Sequence, residues 1–308
     1  MSEPVLLYGV GAAKAGTSWF YRALHGHPDC ALPAVKEAHY WDTFEPGARD
    51  RQLGVFRRQL GEFRAAAAQA RAEGGRDWLA ANMERRVQAM EGLIAVLAGD
   101  RSGDRAYLDW LARGPGGQGL AGRRLVADMT PAYALLPAAT LGRMAATSTR
   151  ALFVYLVRDP LSRLWSHVRM QAGRQLQAGE TLARKANGIL WRILHRGHET
   201  HVLARGDYPA THARLSAALP AGRLRVEYCE RLFTEAGQRD MAEFLGIGYH
   251  PADGAQPAHE GPRVAMRDDL AAQAVRFLAD HYAWAARTLG PLPRAWQDNL
   301  ALASRYGA

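Results

Sequence analysis

The sequence predicts an α/β fold: a single domain with a central parallel sheet flanked by helices, plus helical insertions. Three observations predict it. Nearly continuous apolar runs of strand length occur at Val5–Val10, Arg124–Ala127, Ala151–Val157 and Leu224–Tyr228. Such runs suit strands buried on both faces, as in a parallel sheet. Helical patterns separate them, and strands that alternate with helices are the α/β signature. The first and third runs also end in turns that open directly into helices, where open parallel sheets bind their ligands.

The elements follow in order. Val5–Val10 passes through a small-residue loop into a helical pattern at Thr17–His25. Arg49 to Gly99 is rich in Ala, Arg and Glu and reads as helix, broken at Gly74-Gly75. Gly114-Pro115-Gly116-Gly117-Gln118-Gly119 is a turn or loop. After the third run, Pro160 sits near the first turn of a helix over Leu161–Gln171. Gly179 to Gly206 is polar, basic and His-containing, and helical patterns at Asp240–Leu245 and Asp268–Leu289 follow the last run. The chain therefore reads as one domain over 1–308, with a helical insertion at about 45–120 and a substrate-side insertion at about 175–207. Each insertion serves either a substrate or only the scaffold, and the sequence leaves both readings open.

At 308 residues and 48% hydrophobic composition, the chain can bury one sizeable core. The formal charge is +9, and only Lys14, Lys36 and Lys185 are lysines, so the excess is arginine. That balance fits an Arg-rich surface, or a field that concentrates an anionic ligand. Nucleic acid is not expected as a partner, since no zinc spacing, Lys-rich arm or aromatic-basic motif occurs. Cys30 and Cys229 form no disulfide framework. The N-terminus lacks a basic, apolar leader pattern and no apolar run reaches membrane-span length. A cytoplasmic protein without an integral membrane segment is the expectation.

The string Tyr8-Gly9-Val10-Gly11-Ala12-Ala13-Lys14-Ala15-Gly16-Thr17-Ser18-Trp19 runs strand, loop, helix, with Gly11 and Gly16 at phosphate-loop spacing. Such a loop aims backbone N–H groups at an anion, and the helix adds its positive dipole end. The triphosphate version requires Lys directly after the second Gly. Thr17 stands there, and Lys14 lies inside the loop. This P-loop-like element is poorly equipped for ATP or GTP chemistry, yet it can hold a 5′-phosphate group.

The string Lys14-Ala15-Gly16-Thr17-Ser18-Trp19 resembles the 5′-phosphosulfate loop of sulfotransferases that use 3′-phosphoadenosine 5′-phosphosulfate, PAPS. The resemblance implies that Lys14 contacts the sulfate-bridging oxygen and that Ala15, Gly16, Thr17 and Ser18 bind the 5′-phosphate. Trp19 resembles the adenine-stacking tryptophan of the cytosolic branch, with packing in the helix core as the competing reading. The second motif, Leu156-Val157-Arg158-Asp159-Pro160-Leu161-Ser162-Arg163-Leu164-Trp165-Ser166, is again strand, turn, helix. Arg158 stands at the carboxyl end of its strand and Ser166 about two helical turns beyond. A planar guanidinium and a hydroxyl suit a phosphate, and the motif is similar to the family's 3′-phosphate site. Asp159-Pro160 is expected to cap the helix, and Arg163 to face solvent.

Pro33-Ala34-Val35-Lys36-Glu37-Ala38-His39-Tyr40-Trp41 resembles a segment of the carbohydrate-type and many bacterial sulfotransferases, in which the Glu is the general base. That implies the base role for Glu37. His39 is the competing base, because imidazole titrates nearest neutrality. Lys36 is expected on the substrate side. Ala127-Asp128-Met129-Thr130-Pro131-Ala132-Tyr133 resembles the same branch's Glu-Lys-x-Pro-x-Tyr segment but has Met129 in place of the frequent Lys. Thr130 and Tyr133 are expected acceptor contacts. Glu230 reads as structural. Glu260 to Arg267 reads as a loop closing over the donor, with Arg263 a candidate 3′-phosphate ligand.

The resemblance thus implies sulfuryl transfer from PAPS, leaving adenosine 3′,5′-bisphosphate, to a hydroxyl or amine of a carbohydrate, lipid or small metabolite, without a metal. A P-loop nucleotide kinase and a non-catalytic nucleotide-binding module are the alternatives.

Overall fold

The computed structural model describes residues 3–74, 77–114, 122–252 and 264–305. Its centre is a five-stranded sheet in the order β2-β3-β1-β4-β5, in which all four strand pairings are parallel. The strand β1 (Val5–Gly11) leads to helix α1 (Thr17–His25) and the two-residue strand β2 (Cys30–Ala31). Three helices follow: α2 (Ala48–Glu73), α3 (Asp77–Ala98) and α4 (Arg105–Ala112). Then come β3 (Leu125–Asp128), α5 (Ala138–Ala146), β4 (Ala151–Val157) and α6 (Pro160–Arg174). Helices α7 (Leu182–Arg196), α8 (Thr200–Ala204) and α9 (Tyr208–Ala218) precede β5 (Leu224–Tyr228) and α10 (Cys229–Leu232). The chain closes with α11 (Glu235–Leu245), α12 (Asp268–Phe277), α13 (Ala279–Leu289), α14 (Arg294–Leu300) and α15 (Leu302–Arg305).

The expected α/β architecture is found, and its details refine the sequence reading. Every residue of β1 is buried, because it pairs with β3 through Val5 to Leu125 and with β4 through Leu6 to Ala151. β2 is too short to leave a periodic signal. β5 is an edge strand, and Leu224-Arg225-Val226-Glu227-Tyr228 accordingly alternates apolar with charged residues rather than running apolar throughout. The apolar pattern over Asp268–Leu289 is two helices, divided at Leu278. The sequence 114–119 lies largely outside the described residues. No helix among the described residues is long and apolar enough to cross a membrane.

β1 is the topological pivot. The chain builds β2 and β3 on one side of it and β4 and β5 on the other, which opens a crevice at the carboxyl ends of the strands beside β1. Asp128 closes β3 at that rim. It is 2% exposed and accepts hydrogen bonds from the hydroxyls of Thr130 at 2.6 Å, Tyr107 at 2.7 Å and Tyr133 at 2.8 Å. Burial raises its pKa, and the three hydroxyls oppose that rise. Tyr133 in turn accepts the Tyr40 backbone N–H at 2.9 Å. The segment after β2 is thereby tied to the end of β3.

Arg163 departs from its expected solvent position. It is 2% exposed, and its guanidinium donates to the Val202 carbonyl at 3.2 Å. The guanidinium lies so close to Gly206 that a Cβ there would overlap its central carbon. Gly206→Ala must expel or bend the arginine and is expected to lower stability by about 1–3 kcal/mol. Urea unfolding checks this; an unchanged midpoint contradicts it.

Candidate active site

The loop after β1 is shaped by backbone sign. Gly11 has φ 148°, Lys14 φ 71° and Gly16 φ 88°, all left-handed-side conformations that a β-branched residue would resist. Gly16 is the N-cap of α1 and no side chain caps that helix, so its first-turn N–H groups face the crevice as donors for an anion. A Cβ on Gly16 would sit 3.2 Å from the Cys229 Cβ, so the loop is pressed onto α10. Ala15 and Thr17 are buried, and Ser18 is half-buried. Ala15 can offer a ligand only its backbone.

Lys14 is half-buried. Burial lowers its pKa most, followed by the charges of Arg158, Lys36, Arg169 and Arg174. The two motifs meet directly, since Arg158 Nη1 donates to the Lys14 carbonyl at 3.4 Å. Arg158 leaves the end of β4, and Ser166 is half-buried on α6. Arg169 lies one turn beyond Ser166, on the same helical face. Asp159 caps α6 as expected, accepting the Ser162 N–H at 2.7 Å. Glu230 accepts the Asp159 N–H at 3.1 Å, in keeping with its structural reading. Trp19 is 4% exposed and meets Phe233 edge-on, with ring centroids 5.0 Å apart.

The opposite wall is the segment between β2 and α2. Glu37 and His39 have φ of 69° and 49°, conformations that persist only where the surroundings impose them. Lys36 Nζ lies 2.6 Å from Glu37 Oε1 and 3.4 Å from Thr17 Oγ1. His39 Nε2 lies 3.6 Å from Glu37 Oε2, and His39 Nδ1 lies 2.6 Å from Asp42 Oδ2. Burial pushes the Glu37 pKa up, but His39 and the Lys36 ammonium outweigh it and bring it to about 2. Burial pushes the His39 pKa down, but Asp42 and Glu37 outweigh it and bring it to about 9. At neutral pH, Glu37 is thus a carboxylate with lone pairs free, and His39 an imidazolium with none.

Three expectations need comment. Thr130 and Tyr133, expected to touch an acceptor, are both fully buried with their hydroxyls on Asp128; they hold the backbone at His39 and Tyr40 instead of lining the crevice. Met129, in place of the frequent Lys, is 2% exposed and packs its sulfur against Gly9. A lysine there would be buried in the core. Arg263 lies outside the described residues, whereas Val264 after it accepts the Trp165 indole N–H at 3.1 Å. The sequence reading passed over Asp42, Arg169 and Arg174. Their signal was spacing: Asp42 falls three residues after His39, and Arg169 three after Ser166. Among the described residues, no group of three or more His, Cys, Asp and Glu could hold a metal ion.

The His39 assignment has a sign that can be measured. A pKa raised from 6.5 to about 9 means that protonated His39 stabilises the fold fully below about pH 6.5, and that this contribution fades as pH rises through about 9. Imidazole NMR titration should place the His39 midpoint near 9 and move it toward about 6.5 in Asp42→Asn. A wild-type midpoint near 6.5 contradicts the Asp42–His39–Glu37 arrangement.

With this geometry in view, comparison with known proteins gives one consistent outcome. A family model described as the sulfotransferase family matches residues 7–251. A sulfotransferase structure from Alicyclobacillus acidocaldarius aligns over 96% of this chain and 100% of its own, with 21% identity and a TM-score of 0.59, and shares the fold. The sulfotransferase domain from the curacin biosynthetic pathway aligns over 98% of both chains, with 18% identity and a TM-score of 0.41. That of the Synechococcus PCC 7002 olefin synthase covers 99% of this chain and 94% of its own, at 16% identity and a TM-score of 0.37. No curated protein sequence matches. With the family model spanning both anion loops and the segment that carries Glu37, the chain belongs to the sulfotransferase family.

Proposed function

We propose that the protein transfers a sulfuryl group from PAPS to a hydroxyl or amine of a carbohydrate, lipid or small metabolite. One observation carries the reading. Two basic anion sites, one at Lys14 and the α1 N-terminus and one at Arg158 and Ser166, meet beside β1 through the Arg158–Lys14 hydrogen bond. A donor with both a 5′ and a 3′ phosphate needs two such sites; a mononucleotide needs one. Thr17 stands where a triphosphate enzyme needs Lys, which weighs against a nucleotide kinase. Trp19, 4% exposed and packed edge-on against Phe233, fits the core-packing reading better than adenine stacking.

The donor supplies an activated sulfuryl group on a phosphate leaving group. Lys14 and the loop N–H groups stabilise negative charge on the departing oxygen. Arg158 and Ser166 hold the 3′-phosphate and set the register. Glu37 accepts the acceptor's proton at a carboxylate oxygen. His39 stays charged between Asp42 and Glu37 and orients that carboxylate. A carboxylate held at about 2 is a weak base, so its proton transfer belongs late, when the attacking oxygen has bonded to sulfur and become acidic. Lys36 bridges Glu37 to Thr17 and so couples the base to the donor loop.

Calorimetry should detect binding of adenosine 3′,5′-bisphosphate and none of comparable strength for ATP–Mg²⁺; the reverse overturns the donor assignment. In a labelled-donor assay over a broad acceptor panel, Lys14→Ala is expected to reduce kcat by about 10²–10³. Glu37→Gln is expected to reduce it by about 10²–10⁴ with donor affinity retained. Near-normal turnover by Lys14→Ala would sink the mechanism. Tight donor binding without turnover of any acceptor would favour a non-catalytic module.

A further inference from the structure

We infer that Asn299 and Tyr282 are positioning residues for the anion site of Arg158 and Ser166, acting through the carboxylate of Asp159. The inference rests on the reading that this site takes the donor's 3′-phosphate.

Asp159 is 1% exposed and follows Arg158 directly. A buried carboxylate needs several donors, and its own helix supplies only the Ser162 N–H. The others come from the far end of the chain. The Tyr282 hydroxyl on α13 donates to Asp159 Oδ2 at 2.8 Å, and the Asn299 amide on α14 donates to Oδ1 at 2.8 Å. Tyr282 is 2% exposed; burial and then Asp159 raise its pKa, so the hydroxyl keeps its proton. The backbone beside it is held equally. Tyr208 accepts the Arg158 N–H at 3.2 Å and donates to the Arg158 carbonyl at 2.7 Å. Further along α6, the Val264 carbonyl holds Trp165, the residue before Ser166.

The C-terminal segment therefore grips α6 at both points where the anion site is built. Asn299 and Tyr282 lie beyond the 7–251 span of the family model, so this grip is made by a part of the chain that the family match does not cover. A guanidinium with its backbone fixed binds phosphate with less loss of freedom. Removing the Tyr282 hydroxyl leaves Asp159 Oδ2 without its donor, removing the Asn299 amide leaves Oδ1 with the Ser162 N–H alone, and in either case the carboxylate must turn to recover a partner. Turning loosens the cap of α6 and Arg158 with it. The 5′ side is built on β1 and α1 and meets Arg158 through one long hydrogen bond, 3.4 Å to the Lys14 carbonyl.

The test is the ratio of two affinities, measured by calorimetry with adenosine 3′,5′-bisphosphate and with AMP, which lacks the 3′-phosphate. Asn299→Leu keeps the side-chain size, and Tyr282→Phe removes one oxygen. Each is expected to weaken bisphosphate binding about tenfold while AMP binding changes by less than about twofold. Asn299→Gln, which retains an amide donor, should recover most of the preference. A variant pair with the wild-type ratio, or with both ligands weakened equally, overturns the positioning role. A wild-type protein with no preference for the bisphosphate overturns the 3′-phosphate reading itself. Tyr282→Phe carries the test if Asn299→Leu does not fold.

Discussion

Like charges held close together repel by about 4 kcal/mol for a pair 4 Å apart at the effective dielectric of a protein surface. Lys14 feels four other cations: Arg158, Lys36, Arg169 and Arg174. A flexible chain would let such groups drift apart. Here they are fixed to four pieces of the rim: the loop after β1, the turn after β4, the segment after β2, and α6, which carries both Arg169 and Arg174. The parallel sheet supplies the rigidity, since its strands present all their carboxyl ends on one edge. Positive charge is thereby gathered at a point where an anion can bind.

The segment after β2 carries its own negative charge. Lys36 is paired directly with the carboxylate of Glu37. From there charges alternate through His39 to Asp42, so this wall is nearly self-compensating and the wall of Lys14 and Arg158 stays basic. Two buried carboxylates serve as anchors. Asp128 ties the base segment to β3 by way of Tyr133, and Asp159 ties α6 to the C-terminal helices. Neither anchor faces the crevice, yet each sets the position of a wall.

The sequence made the scaffold and its two strand–turn–helix loops legible for a physical reason: apolar strands and glycine-shaped turns are local signals. Thr17–His25 and Ala151–Val157 have the expected limits, because a strand buried on both faces and a helix after a loop are each written in consecutive residues. β2 was invisible because two residues carry no period. Arg163 was misjudged because its burial depends on Val202 and Gly206, which only the fold brings near. Thr130 and Tyr133 carry the right chemistry for an acceptor site, but their hydroxyls turn inward to Asp128. Competition between two hydrogen-bonding partners cannot be read from a motif. Nor could the charge states of Glu37 and His39, which arise from mutual contact and from Asp42.

The central claim is that two phosphate-type sites flank β1 and belong to one ligand. A crystal structure of the protein with adenosine 3′,5′-bisphosphate tests it most directly. The account predicts the 5′-phosphate over the loop of Lys14 to Ser18 and the 3′-phosphate between Arg158 and Ser166. A bisphosphate bound elsewhere, or anchored at the loop with its 3′-phosphate in solvent, would contradict it.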